Sequence, residues 1–239
     1  VKLYSAVPYP NFGGRDYRMF LRTEWEDEFA VDAENGEVLN DAVYLRNRAV
    51  EDNLNIKITI KSALGSWDNQ EFSDALRNAI NAGEDAYDIA GGYGAKMPGN
   101  VTEGIFLNLL EVPHIDLTQS YWSNGLVECF TINGKCYVAS GALSLYYVEN
   151  IFAMYFNKTI AENQGITGLY DMVKKNEWTF DMLLSYTEAA YVDLNGDGKR
   201  DDGDSYGYVS NIAPTMDMYA DAFDVRITEK GDDGMPYFT

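Results

Sequence analysis

The order of strand and helix patterns near the start of the chain constrains the fold most. RDYRMFLR (15–22), IKITIK (56–61) and YDIAGGYG (87–94) are typical of strands. Between them, apolar residues recur at helical spacing over 39–55 and 69–86. This alternation predicts an α/β fold with a mostly parallel sheet flanked by helices.

The remaining sequence predicts a hairpin followed by mixed elements. Asn133-Gly134 indicates a two-residue turn in a hairpin over 127–139, with Cys136 opposite Thr131. Cys129 would lie diagonal to Cys136, which leaves a disulfide and two reduced cysteines as alternatives.

Further strands are predicted over 142–156, 205–210 and 235–239, the last without a partner. Helices are predicted over 158–166, 168–176, 178–192 and 215–225, the third with Thr179 as its N-cap.

Charge and motif content exclude several classes of function. The chain has 38 acidic and 18 basic residues, which gives a net charge of −20. This excess repels phosphate backbones and anionic lipid, so we expect no nucleic-acid partner. His114 is the single histidine, and no HExxH or GxSxG motif accompanies it. The sequence therefore offers no signature of an HExxH metalloprotease or of a GxSxG hydrolase.

DLNGDGKRDDGD (193–204) has the spacing of an EF-hand calcium loop, with Gly198 at the sixth position. The predicted ligands are Asp193, Asn195, Asp197, Lys199 through its carbonyl, Asp201 and Asp204. A set of oxygen ligands favours Ca²⁺ or Mg²⁺. The alternative is a solvated acidic turn without a metal.

The surroundings of this loop favour a structural role for calcium over a sensor role. The helix predicted over 178–192 precedes the loop, but SYGYVS (205–210), which follows the loop, is typical of a strand. A calcium sensor works by moving two helices, and here only one is predicted. Dockerin loops have a similar pattern, but they occur as two repeats and this chain contains one.

Beyond the β-α-β-α start, four later segments carry a family resemblance. These are YDIAGGYGA (87–95), FLNLLEV (106–112), the hinge-like stretch from NGKCYV to NKTIAENQGI (133–166), and EWTFDMLLSYTEAA (177–190). In this order along the chain, they resemble the extracellular solute-binding proteins of bacterial ABC importers, in particular the sugar-binding group that includes the maltose-binding type.

The resemblance implies a periplasmic-binding-protein type II fold with two lobes that close on a solute by hinge motion. Lobe one would cover 1–141, and lobe two would cover 142–239 and be incomplete, since family members are longer. The implied function is a monomeric, non-catalytic receptor that delivers a mono- or oligosaccharide to an ABC importer permease. The implied location is the surface of a Gram-positive bacterium, as a lipoprotein whose anchor lies outside this chain.

Sugar binding requires aromatic faces for the C–H faces of the ring and polar groups for its hydroxyls. We expect these groups on loops at the carboxyl ends of parallel strands and beyond the implied hinge. The candidates are Glu24 and Trp25 after the first strand, Trp67 and Asp68 after the second, Gly92 and Tyr93 after the third, and Tyr146 and Glu149 beyond the hinge. For each aromatic residue, packing in the core or at its rim is the alternative.

Two other functions stay open from the sequence. A dockerin-like module would bind a protein partner in a calcium-dependent manner. A glycan-acting hydrolase would use paired carboxylates, which an acidic chain offers in abundance.

Overall fold

The computed structural model of the chain describes residues 9–239. The chain divides into two compact units. The first runs to Ile151 and includes Lys230–Tyr237, and the second consists of Phe152–Glu229 and Phe238–Thr239. Residues 142–151, assigned by sequence to the second lobe, thus belong to the first unit. That these units are the lobes of a binding protein stays a prediction.

A parallel three-stranded sheet organises the first unit. Strands β1 (Arg15–Arg22), β2 (Ile56–Ala63) and β3 (Ile89–Gly91) lie in the order β2-β1-β3. Arg22 pairs with Ala63, and Leu21 pairs with Gly91. The carboxyl ends of all three strands therefore meet at one edge, and the predicted α/β class is confirmed.

Helices α1 (Val38–Leu54) and α2 (Glu71–Asn81) connect these strands. The Glu37 carboxylate caps α1 by accepting a hydrogen bond of 2.7 Å from the backbone N–H of Asn40. Helix α1 therefore begins at Val38, just before the helical pattern predicted over 39–55. Helix α2 buries Phe72 and Leu76 on one face.

The core of the first unit lies between the sheet and α2. Phe20, Phe72, Leu76 and Met97 form its buried cluster. The Phe20 ring stacks on Phe72 with ring centroids 4.6 Å apart, and on Tyr87 at 4.4 Å. Burial of each large apolar side chain stabilises the fold by about 1.5–3 kcal/mol. This packing fixes β1 and the residues that follow it.

The predicted hairpin forms, but it is shorter than expected. Strands β4 (Thr131–Ile132) and β5 (Lys135–Cys136) flank Asn133-Gly134, and Thr131 pairs with Cys136 as predicted. Both turn residues have positive φ, 48° and 70°, as a type I′ turn requires. The preceding residues form a helix instead of a strand, so Cys129 is exposed, Cys136 is buried, and both thiols are free.

The predicted strand over 142–156 is wrong. Residues Leu145–Glu149 form a short helix instead, and 151–157 have no regular structure. The Ser144 hydroxyl caps this helix by accepting a hydrogen bond from the backbone N–H of Tyr147, 3.2 Å away. An apolar run does not distinguish strand from helix by its periodicity, and here the helix is accompanied by this cap and by hydrogen bonds from Ser144 and Tyr146 to the distant Glu28.

The helices after β3 are α3 (Met97–Val101), α4 (Asn124–Phe130), α5 (Leu145–Glu149), α6 (Lys158–Asn163), α7 (Leu169–Lys174), α8 (Phe180–Ala189) and α9 (Ile212–Ala222). Thr179 caps α8 as predicted, since its hydroxyl accepts a hydrogen bond of 3.3 Å from the backbone N–H of Met182. Within residues 9–239, no helix is long and apolar enough to cross a membrane.

Two strand predictions near the end of the chain need correction. SYGYVS (205–210) is not a strand, and only Ser205 forms an isolated antiparallel bridge, with Val192. The final strand, β7 (Pro236–Phe238), does have a partner within the chain, because it pairs with β6 (Thr228–Lys230).

Candidate functional site

Arg22, the last residue of β1, lies close to two aromatic rings at the carboxyl edge of the sheet. Its guanidinium carbon is 5.5 Å from the ring centroid of Trp25 and 4.7 Å from that of Tyr93. The aliphatic stem passes close to Gly65, where an added Cβ would lie 3.0 Å from Arg22 Cγ. The ends of three parallel strands thus gather one cation and two rings at a single place.

Trp25 is held in place by the chain that follows β1. Two short 3₁₀ turns over Thr23–Glu28 meet at Trp25, whose φ of −141° and ψ of 23° are not helical. The Trp25 ring makes an edge contact with Tyr146, with ring centroids 4.3 Å apart and an interplanar angle of 67°. Trp25 nevertheless keeps 38% of its surface exposed, so the indole is accessible from solvent.

Two carboxylates position α5 against this cluster. The Tyr146 hydroxyl donates to Asp27 Oδ1 at 2.8 Å. Glu28 Oε1 accepts from the Ser144 hydroxyl at 2.6 Å and from the backbone N–H of Tyr146 at 2.9 Å. Burial, with the hydrogen bond to Asp27, raises the pKa of Tyr146 to about 12. Tyr146 is therefore a protonated donor at neutral pH.

Glu24 fixes the loop after β2. Its Oε1 accepts from the backbone N–H groups of Gly65 at 3.0 Å and Ser66 at 2.8 Å. Burial raises the pKa of Glu24, but the backbone hydrogen bonds and the Arg22 charge outweigh it, and the net pKa is lowered. Glu24 is thus an ionised carboxylate that is already engaged within the site.

A small cavity of about 140 Å³ adjoins Tyr146. Four carboxylates line it, those of Asp27, Glu28, Glu37 and Glu149. This volume is below the roughly 300–1,000 Å³ of a typical small-molecule pocket, so it suits a water or one polar group of a ligand. Tyr146 and Glu149, both predicted from the sequence, share this cavity.

The other residues that the sequence predicts for the site, Trp67, Asp68 and Gly92, are not grouped with Trp25 and Tyr146. Trp67 is 69% exposed, and Asp68 next to it is also exposed, in the loop between β2 and α2. Gly92 does permit a close approach, but of the core, because an added Cβ would overlap Met97 Sδ and lie 2.9 Å from Phe72 Cε1. The structure therefore brings together Glu24, Trp25, Tyr93 and Tyr146, and it gives Gly92 a packing role.

Sequence reasoning missed Arg22, Asp27, Glu28 and Ser144. The sequence did contain one signal for Arg22. It is the last residue of the predicted strand 15–22, and the binding site was expected at the carboxyl ends of the strands. Asp27 and Glu28 belong to the acidic run TEWEDE, which has the composition of a solvated loop. Ser144 could have been found as an N-cap only by predicting α5 as a helix.

In the acidic loop at 193–204, carboxylates accept hydrogen bonds from the backbone N–H groups of the same loop. The Asp193 carboxylate accepts hydrogen bonds from the backbone N–H groups of Gly196 at 2.6 Å and Gly198 at 2.9 Å. The Asp204 carboxylate accepts from the Tyr191 hydroxyl at 2.6 Å. This hydrogen bond, together with burial, raises the pKa of Tyr191 to about 12.

The donor chemistry of the loop fits a hard cation, since its predicted ligands are all oxygens. The predicted ligands, however, are not gathered around one point as they would be in a calcium-bound loop. Across residues 9–239, no three side chains of the His, Cys, Asp or Glu type stand close enough together to hold a metal ion. The Asp193 and Asp204 carboxylates bond backbone N–H groups and Tyr191, so binding of calcium requires them to turn toward a common centre.

Comparison with known proteins assigns no family. No protein-family model matches the chain, and no curated protein matches it. Function is therefore inferred from the side chains at the carboxyl edge of the parallel sheet.

Proposed function

We propose that the chain is a carbohydrate-binding receptor without catalytic activity, of the kind that delivers an extracellular solute to an ABC importer. The observation that carries this proposal is the aromatic cluster at the carboxyl edge of the sheet. Trp25, Tyr93 and Tyr146 lie there together with the carboxylates of Asp27 and Glu28.

These groups match the two needs of sugar recognition. Stacking on the C–H face of a sugar ring needs an accessible aromatic side chain held in one orientation. Trp25 is partly exposed, and its contacts with Arg22 and Tyr146 restrict its ring. The carboxylates of Asp27 and Glu28 are acceptors for sugar hydroxyls, and the fixed hydrogen bonds around them reduce the entropy lost on binding.

The remaining features of the receptor follow from the sequence resemblance. We propose a monomer that is held at the surface of a Gram-positive bacterium as a lipoprotein and presents its solute to an importer permease. The net charge of −20 suits a soluble receptor for neutral or cation-paired ligands and disfavours nucleic acid as a partner.

The proposal is tested by titrating a panel of mono- and oligosaccharides by calorimetry, after a thermal-shift screen. At least one sugar should bind, and Trp25→Ala and Tyr93→Ala should each weaken it by about tenfold or more, as expected for loss of an aromatic anchor. Tyr155→Ala is the matched control, because Tyr155 is 92% exposed and lies in the second unit. Binding of a peptide or polyamine but of no sugar would refute the carbohydrate assignment.

The same titrations separate the alternative functions. Cleavage of the titrated glycan would identify a hydrolase, and the loss of cleavage on changing one carboxylate would locate its site. A protein partner that is released by EDTA would identify a dockerin-like module.

Calcium is the proposed structural cofactor of the 193–204 loop. The proposed ligands are those predicted from the sequence, and the ion would offset the acidic charge of the loop. Its role is to brace the second unit, since the loop lies in that unit and the aromatic cluster lies in the first.

A further inference from the structure

We propose that the solute carries a carboxylate, as a uronic acid does, and that Arg22 binds this group. The inference rests on the proposed function and narrows its ligand from carbohydrates in general to acidic ones. It starts from the hydrogen-bonding state of Arg22.

Among the described residues of the first unit, Arg22 differs from the other arginines in having no hydrogen-bond or ion-pair partner for its side chain. Arg15, Arg18, Arg46, Arg48 and Arg77 each donate to a carboxylate, a backbone carbonyl or both. For Arg22, no side-chain hydrogen bond or ion pair is found within residues 9–239. Its described side-chain interactions are the contacts with the Trp25 and Tyr93 rings.

The Arg22 guanidinium has N–H donors that no acceptor among the described residues satisfies. Arginine presents five N–H donors and stays charged at neutral pH. Arg22 is half-buried, and this burial lowers its pKa even though the charges of Glu24 and Glu28 oppose the shift. A carboxylate is the ligand group that pairs with a guanidinium through two parallel hydrogen bonds. The aromatic rings restrict the guanidinium and so prepare it for such a pair.

The nearby carboxylates do not fill this role. Glu24 accepts from the backbone of Gly65 and Ser66, and Glu28 accepts from Ser144 and Tyr146. Neither forms an ion pair with Arg22 in the described part of the chain. Glu24 positions the loop after β2 and Glu28 positions α5, so the Arg22 guanidinium is left for an incoming anion.

The overall negative charge of the protein does not prevent such a direct pair between Arg22 and a carboxylate. A net charge of −20 disfavours an acidic solute at long range, but salt screens this repulsion beyond about 10 Å. A carboxylate that contacts Arg22 directly is screened much less. An acidic sugar also has a ring that can stack on Trp25 or Tyr93. One molecule can therefore pair with the Arg22 cation and contact an aromatic side chain.

The test uses the 239-residue chain and pairs of sugars that differ only at the sixth carbon: galacturonate with galactose, and glucuronate with glucose. Calorimetry at one ionic strength should show about tenfold or more tighter binding of the acidic member of at least one pair, as a bidentate charged contact provides. Arg22→Gln should abolish this preference. Arg22→Lys should keep part of it, because it preserves the charge but not the bidentate geometry.

Arg200→Gln is the matched control. The Arg200 guanidinium also lies over one aromatic ring, that of Tyr191 at 4.6 Å, but it belongs to the second unit. This variant loses the same charge and should keep the preference for the acidic sugar. Circular dichroism and melting curves establish that each variant is folded.

The possible results separate this inference from the proposed function. Equal or tighter binding of the neutral sugars, or an acidic preference that survives Arg22→Gln, would overturn the role of Arg22 and leave a carbohydrate receptor. If neither member of any pair binds, the inference is overturned. The receptor proposal then falls only if the wider panel of neutral sugars and oligosaccharides also fails to bind.

Discussion

The edge of the Tyr146 ring packs against the indole of Trp25, with ring centroids 4.3 Å apart. Trp25 follows the central strand, whereas Tyr146 lies in α5, far along the chain. The same tyrosine donates its hydroxyl to Asp27 at 2.8 Å. One residue therefore controls both the orientation of the indole and the position of a neighbouring carboxylate.

Tyr146→Phe should separate these two effects. It removes the hydrogen bond to Asp27 and keeps the ring contact, so we expect a loss of about 0.5–1.5 kcal/mol in the free energy of unfolding. Tyr146→Ala also loses the ring and should cost about 2 kcal/mol or more. Urea unfolding measures both values, and equal costs for the two variants would show that the ring contact contributes nothing.

The Tyr146 contribution should also depend on alkaline pH. Its folded pKa is raised to about 12, above the ordinary tyrosine value of about 10. The stabilisation is therefore complete below pH 10 and is lost as the pH rises through the folded pKa. The difference in stability between wild type and Tyr146→Phe should stay constant from pH 6 to about 9 and shrink above about 10.

Gly92→Ala should destabilise the first unit. An added Cβ would overlap Met97 Sδ and lie 2.9 Å from Phe72 Cε1, so we expect overpacking to cost about 1–3 kcal/mol. Gly94→Ala is the matched control two residues away, because its Cβ would meet no atom within 4 Å. Equal unfolding midpoints for the two variants would contradict the packing role of Gly92.

Asp88 should make the stability of the first unit sensitive to acid. Hydrogen bonds from the Arg18 side chain and backbone lower its pKa, assisted by the charges of Arg18 and Arg15 and opposed by burial. Because the folded pKa is depressed, this stabilisation is present above the unfolded value of about 3.9 and is lost as the pH falls through the folded pKa.

Asp88→Asn should therefore lower the unfolding midpoint at pH 7 and reduce its fall between about pH 4 and pH 2. Urea unfolding across this range measures both effects. Asp52→Asn, which removes an exposed carboxylate from α1, serves as the control. An acid dependence that is unchanged in Asp88→Asn would show that other carboxylates govern it.

Calcium should raise the melting temperature of the second unit if the 193–204 loop binds it. Binding to the folded state alone stabilises by about 2.7 kcal/mol at 100 times the dissociation constant. Asp193→Ala and Asp197→Ala should remove the increase without changing sugar preference. Asp202→Ala is the control, since Asp202 is outside the predicted ligand set. Identical melting in EDTA and in millimolar calcium would exclude the structural role.

The sequence predicts the parallel sheet well because its signals are local and strong. Each strand and helix before residue 95 has its own period, and each connection is long enough for a parallel crossover. The turn at Asn133-Gly134 and the cap at Thr179 follow from single residues with clear conformational preferences.

The parts that the sequence did not predict depend on distant partners. The apolar run 142–156 is compatible with either strand or helix, and its contacts with Asp27 and Glu28 lie far away in the chain. The unpaired state of Arg22 depends on Glu24 and Glu28, whose carboxylates accept hydrogen bonds from Gly65 and Ser66 and from Ser144 and Tyr146. No local pattern identifies the arginine that is left without a partner.

Fluorine NMR of the protein labelled with 5-fluorotryptophan tests the central proposal most directly. The chain has four tryptophans, and single Trp→Phe variants assign their signals. On titration with a sugar that binds by calorimetry, the Trp25 signal should shift in proportion to occupancy, while that of Trp178 in the second unit should not. A bound sugar that leaves the Trp25 signal unchanged would contradict a binding site at the carboxyl edge of the parallel sheet.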